Sequence, residues 1–416
     1  MKIADGVYVH FIPTQKYKTN RIVFRMTGSL NKQTIAKRAL VSQMLATANQ
    51  TYPTVQSFKE RLASLYGTQL STRVSTKGLT HSVDIELTYL KDAFIPTNEG
   101  LFWEVLGFLK ECLYKPLSRV AQYQNKVFDM EKQNLMTYLD VDTENNYYYS
   151  EVKGRELYFV NEGLKVPKYG QVELVEAETS FTAYQEFQSM LTRDRIDIFM
   201  VGEFDDYQVL QALHRFPLEG RQVDLQFSYS QPYVNVVKEK IEPRQSSQSI
   251  LQLGYQFPCQ YGDKDYFALI VFNAMFGEFA HSALFTKLRE KEGLAYSISS
   301  QFDIFTGLLE VYAGIEKSNR NQAMRGISRE LNYIKLGRFS SSLLNQTKKI
   351  IRMNALLSED HALTLVEQRF NKVIFGDKSL SLENWLDEIE KVTKKDVCRV
   401  ARQVKLQSLF FLEGVS

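Results

Sequence analysis

The stretch His281–Ile315, HSALFTKLREKEGLAYSISSQFDIFTGLLEVYAGI, decides the fold. Leu284, Phe285 and Leu288 recur at helical spacing, with charged residues on the opposite side. Gly293 follows Arg289, Lys291 and Glu292. That is how a helix stops: glycine takes the left-handed cap, and cations sit in the last turn. From Leu294 to Gln301 the apolar period becomes two, and it does so again from Leu308 to Ile315, with Phe305-Thr306-Gly307 as the turn. The reading is helix, cap, hairpin. Two polar side chains stand out, Arg289 near the helix end and Tyr296 seven positions later. The cap folds the chain back so that they can approach. A guanidinium fork and a phenol are both donors suited to a carbonyl or oxyanion. Tyr296 also shares strand parity with Leu294 and Ile298, which equally suits a core tyrosine, and Arg289 equally suits a solvated helix end.

Working outward, the order of elements occurs twice. In the first half, strands at 7–12 and 21–26 precede a helix at 35–48, a second helix at 55–66 stopped by Gly67, and a hairpin of 69–76 with 81–90. Helices follow at 94–113, 117–138, 143–159 and 181–191, then a buried strand at 195–201 and a helix at 207–216. Residues 217–244 loosen into charge, glutamine and proline, the pattern of a linker. The plan then restarts with a strand at 249–257 and ends with a buried strand at 406–412. "RLASLYGTQLSTRV" (61–74) parallels "KLREKEGLAYSISS" (287–300), and "IDIFMVGEF" (196–204) parallels "LQSLFFLEGV" (406–415). A repeat of half the chain means duplicated domains, since solenoid units run to about 20–50 residues. The expectation is an α+β fold of two homologous domains, each a mostly antiparallel sheet packed against helices. The boundaries read as 1–222, a linker at 223–245, and 246–416.

Composition narrows the partners. The chain has 416 residues, 51 basic against 48 acidic, and a net charge of +3. That balance gives no reason to expect nucleic acid or an anionic membrane. Cys112, Cys259 and Cys398 are odd in number and far apart, which points to a reducing compartment. Residues 1–20 hold no apolar signal core, and the longest apolar run, 267–276, is too short to span a bilayer. A cytoplasmic protein without a membrane span is expected. No P-loop, dinucleotide fingerprint or G-x-S-x-G occurs.

The unit "LREKEGLAYS" with its glycine-turned hairpin resembles the C-terminal half of the insulinase (pitrilysin-like) metallopeptidase family, which includes two-domain bacterial members. The resemblance implies two halves in a clamshell arrangement. It also makes Arg289 and Tyr296 the residues that hold substrate opposite a zinc bound by the other half. In that family zinc is held by His-x-x-Glu-His on the first helix, shortly before a Tyr-Pro turn. Here the matching stretch is "ALVSQMLATANQTYPT" (39–54), which puts Ala39 and Gln43 at the histidine positions and Ser42 at the glutamate. The nearest match to the downstream glutamate ligand is Glu131, which otherwise reads as a surface helix carboxylate. Ala39 offers no ligand atom, and Ser42 is not a useful base near neutral pH. The five histidines, 10, 81, 214, 281 and 361, form no other zinc motif. The chain therefore resembles the non-catalytic, zinc-motif-lacking subunit of a heterodimeric peptidase. Such a chain is inactive alone and carries no cofactor, and a homologous partner supplies the zinc. The rival expectation is a peptide- or partner-binding scaffold of the same fold with no proteolytic role.

Overall fold

A computed structural model describes residues 1–95 and 100–415. Along the chain the strands are β1 (Lys2–Ala4), β2 (Val7–Pro13), β3 (Thr19–Ser29), β4 (Gln69–Lys77), β5 (Thr80–Leu90), the short pair β6 (Ser118–Arg119) and β7 (Gln122–Tyr123), β8 (Arg195–Gly202), β9 (Lys238–Gln245), β10 (Ser249–Gln256), β11 (Ser297–Asp303), β12 (Leu308–Ile315) and β13 (Lys405–Val415). The first five helices are α1 (Lys32–Leu45), α2 (Val55–Ser64), α3 (Leu101–Tyr114), α4 (Asn125–Glu144) and α5 (Asn146–Tyr158). Next come α6 (Val172–Glu176), α7 (Ser180–Arg193), α8 (Asp206–Leu213), α9 (Tyr266–Asn273) and α10 (Arg320–Lys335). Last are α11 (Ser341–Ser358), α12 (Ala362–Phe375), α13 (Leu382–Lys391) and α14 (Lys394–Gln403). The helix expected from Phe94 starts at Leu101, and positions 96–99 of that expectation lie outside the described residues.

Both sheets have one plan. The first runs β4-β5-β3-β8-β2-β1 and the second β11-β12-β10-β13-β9. Every pairing within them is antiparallel except β2 with β8 and β9 with β13, which occupy matching places. The duplication seen in the sequence is thus a duplication of topology, and the α+β class holds.

Strand alternation builds each core. In β3, Ile22, Phe24 and Met26 join Val83, Ile85 and Leu87 of β5 under Ala36, Ala39, Leu40 and Met44 of α1. Each large apolar side chain so buried contributes about 1.5–3 kcal/mol. In the second core, Leu251, Leu253, Leu309 and Val311 meet Leu269, Phe272, Leu284 and Leu288.

The compact units are not contiguous in sequence. The first comprises 1–141, 166–226 and 362–369; the second comprises 142–165, 227–361 and 370–416. This differs from the contiguous boundaries 1–222 and 246–416 read from the sequence. The reason lies in α5, which packs on β10 and β13 of the second sheet. Its Gly154 comes so close that an added Cβ would lie 2.6 Å from Gln252 Cγ. Tyr147 of α5 hydrogen-bonds with Ser297 at 2.6 Å, and Arg155 pairs with Glu310 at 2.7 Å. The expected linker also needs correction: Lys238–Gln245 is a strand, β9, paired along its length with β13. Its Lys/Glu alternation and Pro243 disguise it, and they are the residues that protect a sheet edge from unwanted pairing.

Candidate substrate-contact residues and the degenerate metal position

Residues 285–291 are wound as a π-helix rather than an α-helix. Glu292 N donates to Lys287 O at 2.9 Å, five residues back, and Leu294 N to Leu288 O at 2.8 Å. A second π segment covers 274–278. Such widened turns concentrate at functional positions. Gly293 has φ +62° and open space around its Cβ direction, so backbone conformation alone selects glycine there.

Tyr296 enters just before β11, where its N–H bonds Gly314 O at 2.9 Å. Leu294, Ala295 and Ile298 are buried, but Tyr296 is 60% exposed. The core-tyrosine alternative therefore fails, because the strand begins only at Ser297 and parity does not extend back to Tyr296. Its hydroxyl donates to Glu316 Oε1 at 2.9 Å. That bond raises the phenol's pKa above the ordinary tyrosine value, since losing the proton would set two anions together. Arg289 is half-exposed, stacks over the Phe285 ring at 4.6 Å and has Nε 3.9 Å from Glu290. Among the described residues no hydrogen bond or ion pair joins Arg289 to Tyr296, and each has its own acidic neighbour.

The positions expected of a degenerate zinc motif lie in the first unit. Ala39 and Ser42 are buried on α1, Gln43 is half-buried, and Glu131 of α4 is only 8% exposed. The expectation of a surface carboxylate at Glu131 is thus corrected. It is buried because the Thr47 hydroxyl, at the end of α1, meets Glu131 Oε1 at 2.8 Å and Gln43 O at 2.9 Å. Asn134 Nδ2 donates to the other Glu131 oxygen at 3.3 Å. A methyl, a hydroxyl, an amide and one carboxylate do not make a zinc donor set, which needs imidazole, thiolate or several carboxylates. Among the described residues no group of three His, Cys, Asp or Glu is arranged to hold a metal ion.

Sequence reasoning missed the charged face of the first sheet. Arg25 of β3 grips Asp84 of β5 through two bonds of 2.8 Å and reaches Glu367 at 2.5 Å. Arg73 of β4 contacts Asp84 at 2.8 Å and Glu367 at 3.2 Å, and Lys77 reaches Glu367 at 3.2 Å. Burial pushes the Glu367 carboxyl up, yet Arg25 and Lys77 outweigh it and hold the pKa down at about 2. The available signal was parity: Arg21 and Arg25 alternate with Ile22, Phe24 and Met26 on one strand. Also missed was His81, fully buried on β5. Arg38 Nε donates to its Nδ1 at 3.1 Å, and its Nε2 donates to Lys168 O at 2.8 Å. Burial first, then the Arg38 charge, lowers its pKa to about 3, so the ring is neutral.

The family described as "Peptidase M16 inactive domain" matches residues 184–351. A Bacillus subtilis (strain 168) protein named "Probable inactive metalloprotease YmfF" is 30% identical over 410 residues, 98% of this chain and 96% of the relative. A solved structure of a conserved protein from Enterococcus faecalis V583 is 36% identical, with a TM-score of 0.97 over 100% of this chain and 98% of that one. The structure of a peptidase M16 inactive domain from Pseudomonas fluorescens shares the fold, with a TM-score of 0.79 at 15% identity over 99% and 97% of the two chains. Given a relative aligned over nearly the full length of both proteins, the chain belongs to the M16 peptidase family, the insulinase-like group that its "LREKEGLAYS" unit resembles, as a member without the zinc-binding sequence.

Proposed function

We propose that this chain is the non-catalytic, Arg/Tyr-bearing subunit of a heterodimeric zinc metallopeptidase-like complex acting on peptides in the cytoplasm. A homologous partner supplies the zinc. The observation that carries this reading is an asymmetry: Arg289 and Tyr296 present a guanidinium and a phenol on the exposed surface beside β11, while Ala39, Ser42 and Gln43 do not supply a donor set for zinc. In the complex, Arg289 and Tyr296 hold the peptide carbonyl and stabilise the charge that develops on it. The edge of β4, which among the described strands is hydrogen-bonded only to β5, takes the peptide backbone as an added strand. Three unpaired, buried cysteines fit a reducing compartment. Among the described residues no helix is long and apolar enough to cross a membrane.

The test is a pull-down from the native host followed by peptide digestion with and without chelator. Chelator-sensitive cleavage is expected from the pair and none from this chain alone. Absence of a zinc-bearing partner would overturn the proposal.

The second reading is a peptide- or partner-binding scaffold with no chemistry. It is favoured by one observation: the Tyr296 hydroxyl is already given to Glu316, and the Arg289 guanidinium sits over Phe285 and beside Glu290, so both have intramolecular partners. Co-purification of a partner whose pairing yields no peptide cleavage would select it.

A further inference from the structure

The first unit has a sheet edge lined by unequal charge. β4 and β5 are joined by a two-residue turn, Gly78-Leu79, with Lys77 opposite Thr80 and unbroken register back to Gln69 opposite Thr88. Hydrogen-bonded pairs alternate from that closing pair. Gln69, Ser71, Arg73, Ser75 and Lys77 therefore bond β5, while Leu70, Thr72, Val74 and Thr76 turn their N–H and C=O toward the open edge. The odd-numbered residues share the polar face, with Arg73 and Lys77 four positions, or about 13 Å, apart.

Among the described residues, the cations around these two side chains outnumber the carboxylates: Arg21, Arg25, Arg73, Lys77 and Lys168 against Asp84, Glu86 and Glu367. Arg73 is spread thin. Its Nη2 serves both Asp84 and Glu367, and its Nε, 3.6 Å from Glu86, has no hydrogen-bond partner among the described residues. Lys168 is exposed; its carbonyl is held by His81, opposite Thr76 and so on the face away from Arg73 and Lys77, while its ammonium reaches the field of Arg73. Burial first, and then the Arg73 charge, lower the pKa of Lys168; burial lowers that of Lys77, with Arg25 and Arg73 adding to it against Glu367. A carboxylate arriving here gains charge-assisted hydrogen bonds and relieves cation repulsion.

We propose that the β4 edge selects acidic peptides, taking an extended segment with two carboxylates four positions apart, one read by Arg73 with help from Lys168 and the other by Lys77. This rests on the reading that β4 accepts a peptide strand, and it adds the side-chain preference. In such a strand, residues i and i+4 fall on one face at the backbone spacing of Arg73 and Lys77, whose charged ends converge on Glu367, with the intervening i+2 side chain over Ser75.

The experiment uses the full chain and three labelled ten-residue peptides of identical sequence except at positions i and i+4, which are Asp, Asn or Lys. Binding is read by fluorescence anisotropy. The Asp peptide is expected to bind about tenfold or more tightly than the Asn peptide, and the Lys peptide more weakly than either. The Asp-over-Asn ratio should shrink severalfold in Lys168→Gln, an exposed position that leaves the buried network intact, and with rising salt. Thr72→Pro, which removes an edge-facing N–H, should abolish binding, with retained thermal unfolding confirming that it folds. Equal binding of Asp and Asn peptides would overturn the acidic preference and leave the strand-edge reading standing. Failure of all three peptides would overturn both. An Asp preference that survives Thr72→Pro would place the site elsewhere and overturn this assignment.

Discussion

Arg38 Nε points its proton at Nδ1 of His81 at 3.1 Å, inside a core where neither side chain reaches water. The imidazole can only accept there, so it folds neutral. The unfolded ring takes up a proton near pH 6.5, whereas the folded one does so only near 3. Between those values the unfolded state binds more protons, so stability is full above pH 6.5 and declines as pH falls, by up to about 1.4 kcal/mol per unit. Chemical denaturation at pH 7, 6 and 5 should show this slope. His81→Asn, whose amide can accept from Arg38 and donate to Lys168 O, should be less stable at pH 7 but flatter across the window. An unchanged slope would exclude His81 as its source.

Glu367 behaves oppositely in chemistry but alike in sign. It is a carboxylate with its folded pKa depressed to about 2, so its contribution is present above the ordinary carboxylate range and lost as pH falls through about 2. Glu367→Gln should cost about 2 kcal/mol at pH 7, after allowance for its partial exposure, because Arg25 and Lys77 lose a counter-charge. In urea unfolding at pH 7 and pH 2.5, the gap between variant and parent should narrow in acid. A gap independent of pH would mean that packing, not charge, is what Glu367 supplies.

Gly277 lies in the π segment 274–278 against β11, where an added Cβ would sit 2.8 Å from Ser300 N and 2.6 Å from its Oγ. Backbone cannot yield as a side chain does. Gly277→Ala should therefore destabilise by about 1–3 kcal/mol, read as a lowered Tm. An unchanged Tm would show that helix and strand separate without cost.

Metal removal should do nothing to the chain alone. With Ala39, Ser42 and Gln43 in place of a donor set, EDTA should leave Tm unmoved and added zinc should not raise it, since only a ligand bound by the folded state shifts the transition. A zinc-dependent rise would reveal donors elsewhere.

Arg289→Ala and Tyr296→Phe should each lower peptide cleavage by the assembled pair about 100-fold or more without preventing assembly, if both donors meet the oxyanion. Size-exclusion chromatography and steady-state rates separate the two effects. Full activity in either variant would remove that residue from the site.

What could be read beforehand follows the range of the interactions. The Gly293 stop and the hairpin after it are local, and periodicity and capping chemistry were enough to find them, although the first strand starts at Ser297 rather than Leu294. The π winding of 285–291 was not legible, because a widened turn preserves apolar spacing closely enough to pass for an α-helix. β9 was hidden by the charges that guard its edge. Glu131 looked exposed because its partner Thr47 is 84 positions away, and Glu367 meets Arg25 across 342. Tyr147 of α5 meets Ser297 across 150 positions, in the other half of the sequence.

The placement of α5 has a consequence for anyone dissecting the gene. A cut between Gln226 and Phe227, the natural place to divide the repeat, strands residues 142–165 on the wrong fragment and residues 362–369 likewise. The second piece would then bare the apolar face of Ile250, Phe410 and Leu412 that α5 covers, the first would leave Arg25, Arg73 and Lys77 without Glu367, and both should be recovered in usable form only when produced together.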